Sequence, residues 1–106
     1  MRRLGLGGEP AARAVAIVRD DPHLADALVE ERRGSLIFYF LDQPQGRPAW
    51  EAYYSPVARA VLLDPQHSTY RLDYMRYTGK WQPLPVEGTL EECVQAIRDD
   101  PFKLFF

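Results

Sequence analysis

The sequence predicts an α+β fold: an antiparallel sheet of about four strands, a meander, with an N-terminal helical pair and a C-terminal helix packed on it. Three observations carry this. Ser68–Gln82 (STYRLDYMRYTGKWQ) alternates, with Tyr70, Leu72 and Tyr74 on one side and Thr69, Arg71 and Asp73 on the other, the period of two that marks a half-buried strand. Ser35–Leu41 (SLIFYFL) is an apolar run bounded by turn residues. Thr89-Leu90-Glu91-Glu92 is a capping box, followed by Leu90, Cys93, Val94 and Ile97 on one helical stripe.

In chain order, Met1–Glu9 carries three glycines and reads as a flexible lead-in to a single domain over residues 10–106. Pro10 suits a first helical position, and Ala11, Ala14, Val15 and Val18 share a face. Asp20-Asp21-Pro22 ends this helix and opens a second, with a narrow stripe of Leu24, Ala27 and Leu28 and with Gly34 just past its end. Ser35–Leu41, apolar on both faces, is expected to be covered twice, or covered once and closed by a second subunit. After a loop, Ala49–Ser55 reads as a strand. Val57–Leu63 reads as a further strand, with a short helix from Ser55-Pro56 as its alternative.

The long strand comes next. Past Tyr74 its apolar phase flips to Met75 and Tyr77, as a bulge or a strand leaving the core would produce. Thr78-Gly79 reads as a turn, and Pro83 and Pro85 are expected to stop the ladder. Asp99-Asp100-Pro101 ends the last helix, and the aromatic tail Phe102–Phe106 must find cover. Val15–Pro22 (VAIVRDDP) and Val94–Pro101 (VQAIRDDP) echo one another. The plain reading is two helix stops of the same grammar; the sharper one is an acidic corner for a metal or anion, used twice.

Composition bounds the function. The net charge of −2 gives no global drive toward nucleic acid or anionic membrane, so any basic site is a local patch. One cysteine precludes an intrachain disulfide and is compatible with a reducing compartment. No apolar run approaches the ~20 residues a spanning helix needs. Gly5, Gly7, Gly8 and Glu9 interrupt any signal-peptide core, so a cytoplasmic protein is expected, taken as bacterial on prior grounds alone.

The candidate contact residues are aromatic and basic: Arg71, Arg76, Tyr77, Lys80 and Trp81 along the long strand, with Trp50 and Tyr53. Cations beside flat rings suit phosphates and bases. Against this, Tyr70, Tyr74 and Trp81 also read as core residues with polar tips, and the acidic balance opposes polyanion binding. Tyr39, Trp50, Tyr53, Tyr54 and Trp81 together exceed what one sheet face hides, and surplus Tyr and Trp mark interfaces.

No motif fixes a chemistry. His23 and His67 lack metal-ligand spacing, Asp64 and His67 flank one turn, Cys93 lies on a buried stripe, and Gly5-Leu6-Gly7-Gly8 lacks the context of a phosphate loop. The reading is a small non-catalytic interaction module, a homodimer or a partner of another protein, with no cofactor and no metal. Its alternatives are a nucleic-acid-associated protein using Arg71–Trp81, or an antitoxin or immunity-type partner protein.

Overall fold

The computed structural model describes residues 9–42, 46–101 and 103–105. Of the expected lead-in over 1–9, residues 1–8 with the glycine run lie outside the described residues and Glu9 instead opens the first helix; Phe102 and Phe106 of the tail also lie outside them. The elements are α1 (Glu9–Asp20), β1 (Leu28–Arg32), β2 (Ser35–Asp42), a 3₁₀ turn (Ala49–Glu51), β3 (Tyr53–Asp64), β4 (Thr69–Met75), β5 (Trp81–Gly88) and α2 (Leu90–Asp99). The five strands form one antiparallel sheet in sequence order. It is the expected meander with one strand more.

Alternation decides which side the helices take. Leu36 and Phe38 of β2, Ala58 and Ala60 of β3, Tyr70 and Leu72 of β4 and Leu84 of β5 are buried on one face. Ala11, Ala14 and Val18 of α1 and Leu90, Cys93, Val94 and Ile97 of α2 meet them there. The two alanines in the central strand take up little room, so the helices can approach the middle of the sheet. Arg13 of α1 pairs with Glu91 of α2 and holds the Glu91 carboxyl below its usual range. The opposite face of the sheet has neither helix over it.

Several elements differ from expectation, each for a physical reason. The second N-terminal helix is replaced by a turn over 21–26 and by β1. Arg19 Nη1 donates to the carbonyls of Ala25 (2.6 Å) and Ala27 (2.7 Å), and Asp21 Oδ1 accepts from the His23 N–H (2.9 Å). These bonds satisfy the backbone without a helix, and pairing of Leu28–Arg32 with β2 outweighs a weak apolar stripe. Leu24 and Ala27 are still buried, as their stripe implied. Arg33 (φ 53°) and Gly34 (φ 80°) form the two-residue hairpin loop between Arg32 and Ser35, so Gly34 serves a strand turn and not a helix end.

The expected strands Ala49–Ser55 and Val57–Leu63 are instead a 3₁₀ turn and one twelve-residue strand. Pro56 is tolerated inside β3 because the register shifts opposite Phe38/Tyr39. That shift lets Val57 and Ala58 both pack toward the core. Pro83 and Pro85 do not stop the ladder: they lie in β5, an edge strand, where missing N–H groups are harmless and blunt the edge against further pairing. The phase flip after Tyr74 is the end of β4 at Met75. The chain then turns through Arg76–Lys80, with the Arg76 N–H donating to the Lys80 carbonyl (2.9 Å) and Gly79 at φ 84°.

The capping box of α2 is formed as its sequence implies. The Thr89 hydroxyl accepts from the Glu92 N–H (3.1 Å) and the Glu92 carboxylate accepts from the Thr89 N–H (2.8 Å). Thr89→Ala is expected to lower stability by about 1 kcal/mol in urea unfolding. Burial pushes the Cys93 thiol from 9.0 up to about 12. The native chain should therefore resist thiol reagents at about pH 8.5 and react only on unfolding. Because the folded pKa is raised, this contribution to stability is complete below 9 and is lost as pH rises toward 12, since the unfolded chain ionises first. Cys93→Ala should flatten that alkaline decline.

Candidate functional site

The uncovered face of the sheet is built from the residues that alternate with the core. Register places Glu30, Ile37, Arg59, Asp73 and Pro83 in one row across the five strands, and Arg32, Ser35, Val61, Arg71 and Glu87 in the next. Asp73 is 0% exposed on this face. Its carboxylate is held by two guanidinium groups. Arg59 donates from Nε (3.0 Å) and Nη2 (2.6 Å) to Oδ2, while Arg71 donates from Nε to Oδ1 (2.8 Å) and from Nη2 to Oδ2 (3.2 Å). A buried carboxylate needs such partners, because losing water without them would cost several kcal/mol.

Arg59 also lies over the Trp81 ring, 4.7 Å from its centroid, in a cation–π contact. Hydrogen bonding to Asp73 raises the Arg71 pKa above its ordinary value. Nearby, the Tyr39 hydroxyl donates to Glu30 Oε1 (2.5 Å), which lowers the Glu30 pKa and raises that of Tyr39. Arg32, Arg59 and Arg71 thus face Glu30, Asp73 and Glu87, and the charges of the face cancel.

The residues singled out from sequence fall into separate groups. Arg71 and Trp81 lie on this face, Arg71 engaged with Asp73 and Trp81 under Arg59, outside the core cluster. Arg76, Tyr77 and Lys80 occupy the β4–β5 hairpin tip, where Tyr77 is 97% exposed. Trp50, 80% exposed, sits in the 3₁₀ turn before β3, and the Tyr53 hydroxyl bonds to Asp42. Sequence reasoning missed Arg59 and Asp73 as partners. The alternation with Leu72 and Tyr74 places Asp73 on the second face of its strand, but its burial there and the choice of Arg59 depend on a β3–β4 register that is not visible locally.

Topology adds a second feature. In a meander the β2–β3 connection and the β4–β5 hairpin emerge at the same end of the sheet, where β1 also begins. Leu28, Leu41, Trp50, Tyr53, Tyr54, Tyr77 and Leu104 are all at this end and remain exposed; among the described residues Leu63 is the one large exposed apolar side chain at the other. Leu28, Leu41 and Tyr54 stand on the uncovered face, as register with Tyr39 shows. Single exposed apolar residues are ordinary; at this end seven of the eight large exposed apolar side chains among the described residues lie together.

The remaining candidates show little chemistry. His67 Nδ1 lies 2.7 Å from Asp64 Oδ2, which lowers the Asp64 pKa, and both sit on an exposed turn. Among the described residues no group of three or more His, Cys, Asp or Glu side chains is placed to hold a metal ion, and no helix is long and apolar enough to cross a membrane.

In comparison with known proteins, the family model described as a domain of unknown function, DUF3024, matches residues 11–106. No curated protein and no solved structure matches the chain.

The two arginines should be strongly coupled through Asp73. Arg59→Met and Arg71→Met singly leave one cation on the carboxylate, whereas the double variant leaves a buried charge unpaired. The double variant is expected to lose about 3–5 kcal/mol in urea unfolding, well beyond the sum of the single losses. Adding Asp73→Leu should recover most of that loss. Additive single effects would contradict the arrangement.

Proposed function

The chain belongs to the DUF3024 family, and from that premise we propose that it is a non-catalytic interaction module that pairs with a second copy of itself. The contact is the end of the sheet carrying the β2–β3 connection and the β4–β5 hairpin, with the adjoining lip of the uncovered face. The observation that carries this is the gathering of Leu28, Leu41, Trp50, Tyr53 and Tyr54 at that end. Tyr and Trp are the residues most enriched in protein contacts, where their large rings bury area at little entropic cost.

The cancelled charge of the open face favours the same reading, since a self-complementary patch needs no net charge. A nucleic-acid role draws less support, because Arg71 commits its Nε and Nη2 to Asp73 and the acids of the face offset its cations. An antitoxin- or immunity-type role would use the same end for a different protein. A cytoplasmic setting belongs to this reading and is compatible with the single cysteine, Cys93, which is buried and free.

The test is sedimentation velocity at concentrations well above a Kd on the order of 1 μM. The wild-type chain is expected to sediment as a dimer and Tyr54→Arg or Leu41→Asp as a monomer with unchanged circular dichroism. Ser68→Gly, in the turn at the other end, should remain dimeric. A monomeric wild type, or dimers persisting in both variants, would overturn the reading. Retention of wild type by a single-stranded oligonucleotide at low salt would favour the nucleic-acid alternative.

A further inference from the structure

The two Arg-Asp-Asp-Pro stretches have a structural use that neither helix needs. At the first, Asp21 and Arg19 tie down the turn that carries His23–Ala27. At the second, Asp100 takes a left-handed conformation (φ 46°, ψ 56°), and its Oδ1 accepts from the N–H groups of Leu104 (2.6 Å) and Phe105 (3.1 Å). The tail is thereby folded back and Phe105 is buried. Arg98 Nε, from the second stretch, pairs with Asp21 Oδ2 of the first (2.8 Å), locking the two corners together.

Between these corners and the ends of β2 and β3 lies a cavity of about 430 Å³. Leu24, Phe40, Val57 and Phe105 give it apolar walls, and Asp26, Asp42, Ser55 and His23 bring polar groups. We propose that this cavity binds a small organic cation, an ammonium group carried on an apolar body.

Size and chemistry support that class of ligand. Ligand cavities usually measure about 300–1,000 Å³ and combine apolar walls with a few convergent polar groups. The fixed charges on these walls are of one sign: two carboxylates, with no lysine or arginine among the lining residues. Asp42 is positioned by the Tyr53 hydroxyl, whereas Asp26 makes no hydrogen bond or ion pair among the described residues. An ammonium ion would give Asp26 a charge-assisted partner, and the Ser55 hydroxyl offers a further acceptor. A carboxylate or phosphate ligand of equal size would meet like charge. The cavity lies on the helix side of the sheet and is lined by one chain alone, while Leu41 on its wall and Tyr53, which positions Asp42, also belong to the pairing surface proposed above.

The experiment is a titration of the full chain with phenethylamine, followed by ¹H–¹⁵N NMR, with 3-phenylpropionate and phenethyl alcohol as matched controls. The amine should give saturable shifts confined to residues 23–28, 40–42 and 55–57 and Phe105, with a Kd on the order of 1 mM for so small a probe. The carboxylate should bind at least about tenfold more weakly, a difference one direct charge contact supplies. Asp26→Asn, at an exposed site that leaves the fold intact, should weaken the amine by a similar factor, and Ala27→Phe should block it. Absent or scattered shifts, equal binding of the carboxylate, or unchanged binding to Asp26→Asn would each overturn the proposal.

Discussion

The buried carboxylate of Asp73 is the constraint on which the sheet depends. Strand alternation puts Leu72 and Tyr74 against the helices and so forces Asp73 onto the other face. With no exposure to water, it must be neutralised by neighbours. Arg59 does so from the facing position in β3, and Arg71 from its own strand. A slip of β3 against β4 by one residue would point Arg59 to the core and strand the carboxylate, so the ion cluster specifies register as well as pairing. Trp81 then lies against Arg59 and brings the start of the β5 edge strand into place.

With charge on this face balanced internally, the large exposed apolar side chains among the described residues, Leu63 apart, lie at one end. That is a consequence of connectivity. The β2–β3 connection and the β4–β5 hairpin exit together, and the tail following α2 reaches the same region, with Leu104 beside Tyr74 and Tyr77. The opposite end carries short polar turns, Arg33-Gly34 and 64–68. A small meander under two helices therefore acquires a polar end and an aromatic end without any insertion. Both proposed contacts, the pairing surface and the cation cavity, arise at the aromatic one.

The parts legible in the sequence were those fixed by short-range grammar. The Thr89 capping box, the alternation around Leu72 and the apolar run of β2 each state their structure within a few residues. The stretch after Pro22 misled because its apolar spacing is too sparse to separate a helix from a turn plus a strand. The deciding interactions, Arg19 with the Ala25 and Ala27 carbonyls and Leu28–Arg32 with β2, appear only in three dimensions. Pro56, Pro83 and Pro85 read as strand breakers, yet a register shift and a free sheet edge accommodate them. The seven residues chosen from composition include Arg71 and Trp81 of the ion cluster, but its centre, Asp73 with Arg59, is a long-range pair that no local pattern announces.

If two copies pair at the aromatic end, as proposed, hydrogen–deuterium exchange there should depend on protein concentration. Amides of Tyr39–Asp42 and Tyr53–Val57 are expected to become more protected as concentration rises, while the turns at Arg33-Gly34 and 64–68 exchange at an unchanged rate. Exchange independent of concentration throughout, or new protection confined to the polar turns, would contradict it.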